Sequence, residues 1–308
     1  MKNAIGGAKI KFSVIIVNYN GGEILRNCLV SVFANLKNVG YEVIISDNGS
    51  TDGSLEMIKN DFPAVRTLEN GKNLGFAAAN NRAAKIARGE YLFLLNPDTV
   101  LRDENVCKLA EFMDCHQDAG AVGSLILNAD GTMQRQCKRG WPTFKNSFFY
   151  GSGLWKRARS PKWKKIAGGY FQMDKADDAV CEVDQLSGAA MLVRRDVWES
   201  AGGMDETYIM YWDDTDLCFR IKERGLKVYY VPVCEITHYG GAGGAQLHAF
   251  KNLWHFHKGA CVFYRRHLAA KSNFAANGLF CAGIWLAFAK KTVLNIFRKE
   301  KIIGSKKP

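Results

Sequence analysis

The sequence predicts an α/β fold with a mostly parallel sheet covered by helices on both faces. Its strand-like runs are continuous and apolar instead of alternating, which is typical of strands buried on both sides. Each of the first three runs is followed by a polar turn and then by residues with helical spacing. Because ligands of such sheets bind beyond the carboxyl ends of the strands, the polar turns mark the edge where a functional site is expected.

The first hundred residues contain four strand-like runs with helices between them. We predict strands at 12–17, 41–46, 64–69 and 91–95, and helices at 23–36, 54–60 and 76–88. Beyond these, the pattern weakens and predicts helices at about 103–116 and 214–224 and strands at about 120–127, 180–186, 189–194 and 228–233. We interpret 12–250 as one domain with an insertion, 1–11 as an N-terminal extension and 251–308 as a helical tail.

Charge is distributed unevenly along the 308 residues, which contain 42 Lys and Arg against 30 Asp and Glu and carry a formal net charge of +12. The stretch 138–165 has nine basic residues and no acidic one, and 251–308 has twelve basic residues and one acidic one. The remainder of the chain is therefore net acidic, at −8. An acidic body with two basic segments argues against a uniformly basic nucleic-acid-binding protein.

The nine cysteines are scattered without a C-x-x-C pair, which favours free thiols in a reducing compartment over a disulfide framework or a zinc site. The N-terminal MKNAIGGAKIKF lacks the apolar core of a secretory signal, so the cytosol is the expected compartment. The uncharged stretch 274–289 is sixteen residues long, slightly short for a membrane span of about twenty residues. An interfacial or re-entrant helix is at least as well supported as a crossing one.

Two polar turns follow buried strands and carry side chains suited to a nucleotide and to a cation. In DNGSTD at 47–52, Asp47 and Asn48 can accept a hydrogen bond from a base N–H and donate one to its carbonyl. In NPD at 96–98, Asp98 offers the carboxylate by which a hard divalent cation is held together with substrate phosphates. Ordinary capped turns are the alternative for both segments.

An acidic cluster and a lone histidine are the other candidates. MYWDDTD at 210–216 places three carboxylates at an apparent helix start, where one of them can act as a general base; a helix cap is the alternative. His238, before a glycine-rich loop, could complete a metal site or contact a phosphate, although a lone histidine is more often structural. No G-x-G-x-x-G follows the first strand, which argues against an NAD-dependent oxidoreductase.

In this order, the motifs resemble those of the family-2 inverting glycosyltransferases, in particular the rhamnosyltransferase-like branch that builds bacterial surface polysaccharides. Each motif alone is unspecific, whereas the ordered set is highly specific. The matching segments cover about 12–245 and are SVIIVNYNG (13–21), ISDNGSTDGS (45–54), NLGFAAANN (73–81), LLNPDT (94–99), SGAAMLVRR (187–195), MYWDDTDLCFRIKERG (210–225) and HYGG (238–241).

The resemblance implies a GT-A fold, in which a Rossmann-like nucleotide-binding half, 12–100, joins an acceptor-binding half, 101–250. The second half would include the basic aromatic insertion 138–165. By the same similarity, the donor nucleotide would be bound by Val17, Asn18, Tyr19, Asp47, Asn48, Asn73, Gly75 and Asn96.

The resemblance also implies a Mg²⁺ or Mn²⁺ cofactor bound by Asp98 and His238. Asn96 stands where the family often has Asp, which lowers the negative charge available to that metal. Asp214 is the implied catalytic base and Asp213 its nearest rival. Trp212 and Gly188 are expected in the vicinity of the donor and acceptor sugars.

The implied function is metal-dependent transfer of a sugar, with rhamnose from dTDP-rhamnose favoured, from a nucleotide-sugar donor to a lipid-linked saccharide. The alternatives are UDP-galactofuranose or UDP-N-acetylglucosamine as donor, and a non-catalytic nucleotide-binding module at a membrane surface. Aromatic residues interleave with the nine cations of 138–165 and with those of 254–267, a mixture that suits an anionic membrane but also single-stranded nucleic acid or a solvated loop. We expect a cytoplasmic enzyme held peripherally on the inner face of the bacterial cell membrane, with no nucleic-acid partner.

Overall fold

The computed structural model describes residues 9–37, 39–240 and 249–297. The strands found there are β1 (Phe12–Asn18), β2 (Tyr41–Asp47), β3 (Arg66–Glu69), β4 (Tyr91–Leu95), β5 (Thr99–Leu101), β6 (Ala119–Leu127), β7 (Lys138–Arg139), β8 (Cys181–Val183), β9 (Gln185–Leu186), β10 (Ala190–Arg194) and β11 (Lys227–His238). The α-helices are α1 (Gly22–Asn35), α2 (Ser54–Asp61), α3 (Phe76–Ala84), α4 (Cys107–Cys115), α5 (Phe144–Ser152), α6 (Pro161–Ala167), α7 (Arg195–Ala201), α8 (Asp213–Glu223), α9 (Ala249–Phe263) and α10 (Phe274–Ile296).

The central sheet has nine strands, eight of which follow the order β3-β2-β1-β4-β10-β6-β11-β5, while β8 pairs with the beginning of β11. Strands β1 to β4 are parallel, because a helix connects each of them to the next. β10 lies antiparallel between β4 and β6, and β11 runs parallel to β6. The predicted α/β fold with a mostly parallel sheet is confirmed.

Most predicted elements agree with the structure to within a few residues, and three differ. The helix predicted at 76–88 ends at Ala84, and the strand predicted at 180–186 is divided between β8 and β9. β11 continues beyond the predicted end of its strand to His238, through an irregularity in its pairing with β6 around Pro232. Proline cannot donate to the ladder, so a strand that contains it continues only through such an irregularity. This extension places His238 at a strand end instead of in a loop.

The basic aromatic insertion 138–165 is folded, Lys138 is fully buried and the Arg139 side chain is only 14% exposed. Lys138 Nζ donates to the carbonyl oxygens of Lys175 and Ala176 and lies 2.9 Å from a carboxylate oxygen of Asp177. Lys138 and Arg139 are therefore not among the cations that this segment can present to a membrane or to another partner, because an enclosed cation is retained only where internal groups pair with it. The exposed cations of the insertion are Lys145, Lys156, Arg157, Arg159, Lys162 and Lys165.

The first part of the tail packs against the α/β domain. α9 and the π-helical turn that follows it, Tyr264–Leu268, share a second apolar core with α8; its buried members are Tyr208, Trp212, Phe219, Ala260, Phe263, Tyr264, Leu268 and Phe280. α10 lies on α9, with the rings of Tyr264 and Phe280 stacked at 3.7 Å. The 23 residues of α10 extend beyond 274–289 and include an 18-residue window with a mean hydropathy of 1.4, so this helix is long and apolar enough to cross a membrane. Residues 1–8, 298–308 and Gly241 of the HYGG motif lie outside the described residues.

Candidate active site

The predicted site residues lie at the carboxyl edge of the sheet in two groups. The first group follows β1, β2 and β3 and contains Val17, Asn18, Tyr19, Asp47, Asn48, Asn73 and Gly75. The second group lies around the ends of β4, β9 and β11 and the start of α8 and contains Asn96, Asp98, Gly188, Trp212, Asp213, Asp214 and His238.

The residues at the ends of β1 and β2 hold the first group together. Asn18 and Asp47 are register partners, and Asn18 Nδ2 donates to Asp47 Oδ2 at 2.8 Å. Asp47 Oδ1 accepts the backbone N–H groups of Gly49 (3.0 Å) and Ser50 (2.8 Å), and Oδ2 also accepts from the Ser50 hydroxyl at 2.7 Å. These four bonds close the turn itself. A nucleotide base would share Asp47 with this turn, and the role of Asp47 as a base contact stays a prediction.

Asn48 joins that turn to the one before α3. Its Oδ1 accepts from Asn70 Nδ2 at 2.9 Å, and its Nδ2 lies 3.3 Å from Asn73 Oδ1 and 3.2 Å from the Gly75 carbonyl oxygen. Gly75 has a φ of +87°, and a Cβ there would lie 2.7 Å from the carbonyl oxygen of Ile209, so glycine is required. The structure thus brings three predicted nucleotide contacts together and adds Asn70, which no motif singled out.

His238 and Asp98 meet although 140 positions separate them in the chain. The pairing of β11 with β5 sets His238 opposite Thr99, directly after Asp98. His238 Nε2 lies 3.2 Å from Asp98 Oδ1 and 3.3 Å from Asn96 Nδ2. The two implied metal ligands are therefore neighbours in the fold.

Gln134, which the motifs also missed, orients the ring of His238. Its Nε2 donates to the His238 carbonyl oxygen at 2.7 Å, which turns its Oε1 toward His238 Nδ1 at 3.0 Å. In the neutral imidazole Nδ1 therefore carries the proton, and Nε2 presents a lone pair beside Asp98. Metal-binding histidines commonly donate their other N–H to an oxygen in this way.

A divalent cation fits this donor set. Asp98 supplies a carboxylate oxygen and His238 an unprotonated nitrogen at the same place. Across 9–37, 39–240 and 249–297, no cluster of three or more His, Cys, Asp or Glu side chains could hold a metal. Two protein ligands leave most coordination positions to a diphosphate and water, which is typical of cations that bind together with their substrate.

The turn between β9 and β10 connects the segment that carries Asn96 and Asp98 to the start of α8. The Asn96 N–H donates to the Ala189 carbonyl oxygen at 2.9 Å, and the Gly188 N–H donates to Asp214 Oδ2 at 3.0 Å. A Cβ on Gly188 would lie 3.2 Å from the Cβ of Asp214. Because Gly188 and Ala189 are adjacent, Asp214 lies next to the turn that carries Asp98.

α8 begins from strained backbone that the tail holds in place. Tyr211 and Trp212 have φ angles of +67° and +71°, which are costly for bulky side chains and cluster at functional sites. Trp212 Nε1–H donates to the carbonyl oxygen of Phe256 at 2.8 Å, and a Cβ on Gly259 would lie 2.6 Å from the Trp212 ring. α9 thereby fixes the residue that precedes the acids of α8.

Asp214 is paired with a cation from the insertion. Arg139 Nη2 lies 2.7 Å from Asp214 Oδ2, and Asp214 Oδ1 accepts the backbone N–H of Thr215 at 2.7 Å. The Asp214 side chain stays 15% exposed, so a substrate hydroxyl can reach it. Arg139 belongs to the basic segment 138–165, and no motif singled it out as a site residue.

Asp213 differs from its neighbour in burial and in partners. Its Oδ1 accepts the Asp214 N–H at 3.0 Å, while its buried Oδ2 has no hydrogen-bond partner among the described residues. Burial, and next the negative charge of Asp214, raise the pKa of Asp213 to about 8. Near pH 7 Asp213 therefore holds a proton in the folded chain.

Asp216, the third acid of the cluster, makes hydrogen bonds that stabilise the fold. Its Oδ2 accepts from Arg220 Nε at 2.7 Å, and its Oδ1 lies 2.8 Å from His267 Nε2. Only 1% of its side chain is exposed, so it ties the π-helical turn of the tail to α8.

A mostly parallel α/β sheet that brings the predicted nucleotide, metal and base residues together at its carboxyl edge is the arrangement of a glycosyltransferase of the GT-A fold. Inversion at the anomeric carbon is consistent with that class. The chain belongs to glycosyl transferase family 2, whose sequence profile matches residues 13–173. It is a hexosyltransferase.

Two relatives are named as rhamnosyltransferases. N-acetylglucosaminyl-diphospho-decaprenol L-rhamnosyltransferase of Mycobacterium tuberculosis is 30% identical over 238 residues, which are 73% of this chain and 75% of that protein. Rhamnosyltransferase WbbL of Escherichia coli K12 is 23% identical over 271 residues, which are 85% of this chain and 96% of that protein.

Solved structures show the same fold. The mannosyltransferase PcManGT of Pyrobaculum calidifontis, in complex with GDP-Man and Mn²⁺, superposes with a TM-score of 0.56 at 16% identity and covers 93% of this chain and 76% of its own. S. aureus TarS superposes with a TM-score of 0.56 at 15% identity, over 94% of this chain and 74% of its own. Both are GT-A glycosyltransferases.

Proposed function

We propose that the protein transfers a hexose from a nucleotide sugar to a lipid-linked saccharide, with inversion and with the help of a divalent cation. The observation that carries this proposal is the position of Asp214 beside the turn that contains Asp98. The two are connected by hydrogen bonds to the adjacent residues Gly188 and Ala189. A base for the acceptor hydroxyl then lies next to the ligands for the cation of the donor diphosphate, as a single displacement requires.

In this displacement Asp214 takes the proton of the acceptor hydroxyl while the acceptor oxygen bonds to the anomeric carbon. The bond from that carbon to the diphosphate oxygen breaks on the opposite face, and the nucleoside diphosphate leaves with the electron pair. Attack opposite the leaving group inverts the configuration. Asp98 and His238 would hold a divalent cation, which would supply Lewis-acid stabilisation of charge on the diphosphate.

We propose dTDP-L-rhamnose as the donor and a polyprenyl-diphosphate-linked saccharide as the acceptor. The support is that two relatives are named as rhamnosyltransferases, one of them for N-acetylglucosaminyl-diphospho-decaprenol. The ordered motifs of this chain resemble the same branch of the family.

A thermal-shift panel of nucleotide sugars with and without Mn²⁺ tests this proposal. We expect dTDP-rhamnose with Mn²⁺ to raise the melting temperature most, since a ligand at a hundredfold its Kd adds about 2.7 kcal/mol to the free energy of unfolding. UDP-galactofuranose, UDP-N-acetylglucosamine and GDP-mannose are the comparison ligands. A larger shift with a uridine or guanosine donor would refute the dTDP-rhamnose assignment, and no shift with any donor would refute nucleotide-sugar binding.

For the location of the enzyme, we propose peripheral attachment to the cytoplasmic face of the bacterial membrane through α10. One face of this helix is occupied by the protein, because Phe280 and Ile284 belong to the core shared with α9. Leu279, Leu286 and Val293 recur every seven residues on another face and are 65%, 71% and 53% exposed. A helix docked along one face and apolar along another lies in a membrane interface more readily than it crosses the bilayer.

The exposed cations near α10 make anionic lipid the expected partner of this surface. Lys258, Arg265 and Lys290 are exposed on α9, the π-helical turn and α10. Positive side chains beside an apolar stripe are attracted to anionic headgroups, and salt screens that attraction.

Vesicle flotation at low salt tests the attachment. We expect wild-type protein to float with vesicles that contain anionic phospholipid, and the double variant Leu279→Glu, Leu286→Glu to stay largely in the soluble fraction. Val30→Glu is the matched control, because Val30 is an equally apolar residue, 54% exposed, on α1. Equal flotation of the double variant and wild type would refute attachment through α10.

A further inference from the structure

The two-stranded sheet β7–β9 connects the insertion to the helix that carries Asp214. Arg139 of β7 pairs with Gln185 of β9, so this short sheet holds Arg139 directly beside the start of α8. Arg139 Nη2 donates to Asp214 Oδ2 and to the carbonyl oxygen of Leu186, each at 2.7 Å. A side chain with two such acceptors on different elements has one orientation available to it.

The hydrogen-bond partners of Asp214 differ between its two oxygens. Oδ2 accepts from Arg139 Nη2 and from the Gly188 N–H at 3.0 Å, which is the usual capacity of one carboxylate oxygen. Oδ1 accepts the Thr215 N–H at 2.7 Å, and the Thr215 hydroxyl oxygen lies 3.2 Å away.

The single proton of the Thr215 hydroxyl is used elsewhere. Thr215 Oγ1 lies 2.5 Å from Gln185 Oε1, and Gln185 Nε2 donates to the Gly140 carbonyl oxygen at 2.7 Å, which fixes Oε1 as the acceptor for that proton. The hydroxyl thus gives no proton to Asp214. Among the residues that the structure describes, none fills the second acceptor position of Oδ1, whereas both positions of Oδ2 are filled.

We propose that Arg139 is a positioning residue for the proton-abstraction step: by binding Oδ2 it turns Oδ1 of Asp214 toward the acceptor hydroxyl and makes Oδ1 the atom that takes the proton. This inference rests on the proposed function and names a residue of the insertion as part of its machinery. The acceptor O–H bond breaks, its proton moves to Oδ1, and Arg139 stays bound to Oδ2 throughout.

Charge supports the same role. The guanidinium of Arg139 lies 2.7 Å from Asp214 Oδ2 and is the countercharge of that carboxylate. Burial acts to lower the pKa of Arg139, but Asp214 and the Tyr170 hydroxyl outweigh it, so this pKa is raised above its ordinary value. Removal of the guanidinium should therefore free the orientation of Asp214 and take away its countercharge.

Steady-state transfer from dTDP-rhamnose to N-acetylglucosaminyl-diphospho-polyprenol, with and without millimolar guanidinium chloride, tests this role. We expect Arg139→Ala to lower kcat about 10²-fold, the effect of a catalytic group displaced by about 1 Å, with the KM for the donor little changed. Free guanidinium ion should restore a substantial part of the kcat that Arg139→Ala loses, and it should leave the kcat of wild type unchanged. Arg139→Lys should keep more activity than Arg139→Ala.

Arg220→Ala is the matched control, because Arg220 is a largely buried arginine that pairs with Asp216 of the same helix at 2.7 Å. We expect it to lower the melting temperature and to show no guanidinium-dependent change in kcat. The proposal is overturned if Arg139→Ala keeps wild-type kcat, or if its loss is recovered neither by guanidinium nor by the lysine variant. An inactive wild type would instead refute the proposed function, so the two failures are distinguishable.

Discussion

Replacement of Asp214 by Asn is expected to lower the turnover number by about 10²–10⁴-fold, the usual contribution of a positioned general base. Asn has nearly the shape of Asp and can still accept the Gly188 N–H that Asp214 Oδ2 accepts, whereas an amide oxygen cannot take the proton of the acceptor hydroxyl. Affinity for the nucleotide sugar should be little changed, because most of the predicted nucleotide contacts lie at the ends of β1, β2 and β3, whereas Asp214 lies on α8. Initial rates at saturating donor, together with the thermal shift that the donor causes, measure both quantities.

The comparison with Asp213→Asn decides which of the two acids is the base. Burial and the charge of Asp214 raise the pKa of Asp213 to about 8, so Asp213 is protonated at pH 7 and Asn imitates that state. We therefore expect Asp213→Asn to keep far more activity than Asp214→Asn. If Asp213→Asn were the more damaging of the two, Asp213 would be the base.

The same pKa has a consequence for stability. A carboxyl group whose pKa is higher in the folded than in the unfolded chain releases its proton when the chain unfolds, so the free energy of unfolding falls as the pH rises from the ordinary pKa of 3.8 to about 8 and is not lowered further by this group above that. Asp213 thus lowers the stability of the fold already at neutral pH.

The sheet and the proximity of the two predicted metal ligands could be inferred from the sequence. Continuous apolar runs identify β1, β2 and β4 because these strands are buried on both faces and tolerate few polar residues. Asp98 follows such a strand, and only the resemblance of the whole ordered set of motifs to family 2 implies that Asp98 and His238 belong to one site. The structure adds the reason for their proximity, which is the pairing of β11 with β5.

Arg139 and Gln134 could not be predicted, because their roles depend on partners that are distant in the chain. Arg139 lies in a run of cations, and composition cannot distinguish one buried guanidinium from solvated neighbours until its partner, 75 positions away, is known. Gln134 is an ordinary polar residue in a turn, and only the final strand of the sheet brings His238 to it. Asp216 shows the converse: it shares a motif with Asp214, but its bonds to Arg220 and His267 are structural.

Replacement of Asp98 by Asn is the second large effect that we expect. Loss of the carboxylate should abolish most of the Mn²⁺-dependent part of the donor-induced thermal shift and lower turnover by about 10²–10⁴-fold, since a bound cation contributes several kcal/mol to stabilising charge on the leaving diphosphate. Asp98 is 6% exposed and lies 3.2 Å from the other predicted ligand, so the variant removes a ligand at an otherwise intact site. Thermal shifts with dTDP-rhamnose, with and without Mn²⁺, measure the metal contribution independently of catalysis.

The reciprocal variant, Asn96→Asp, is expected to change the Mn²⁺ requirement in the opposite direction from Asp98→Asn. Asn96 Nδ2 lies 3.3 Å from His238 Nε2, so a carboxylate at this position would add a negatively charged oxygen beside the predicted ligands. We expect Asn96→Asp to lower the Mn²⁺ concentration needed for half-maximal donor stabilisation, while Asp98→Asn raises it. Asp130→Asn, a change of the same chemistry at an exposed turn, is expected to leave the Mn²⁺ dependence as it is in wild type. If Asp98→Asn kept the wild-type Mn²⁺ dependence, Asp98 would not be a metal ligand, and the cation would have to be held by the diphosphate and by other residues.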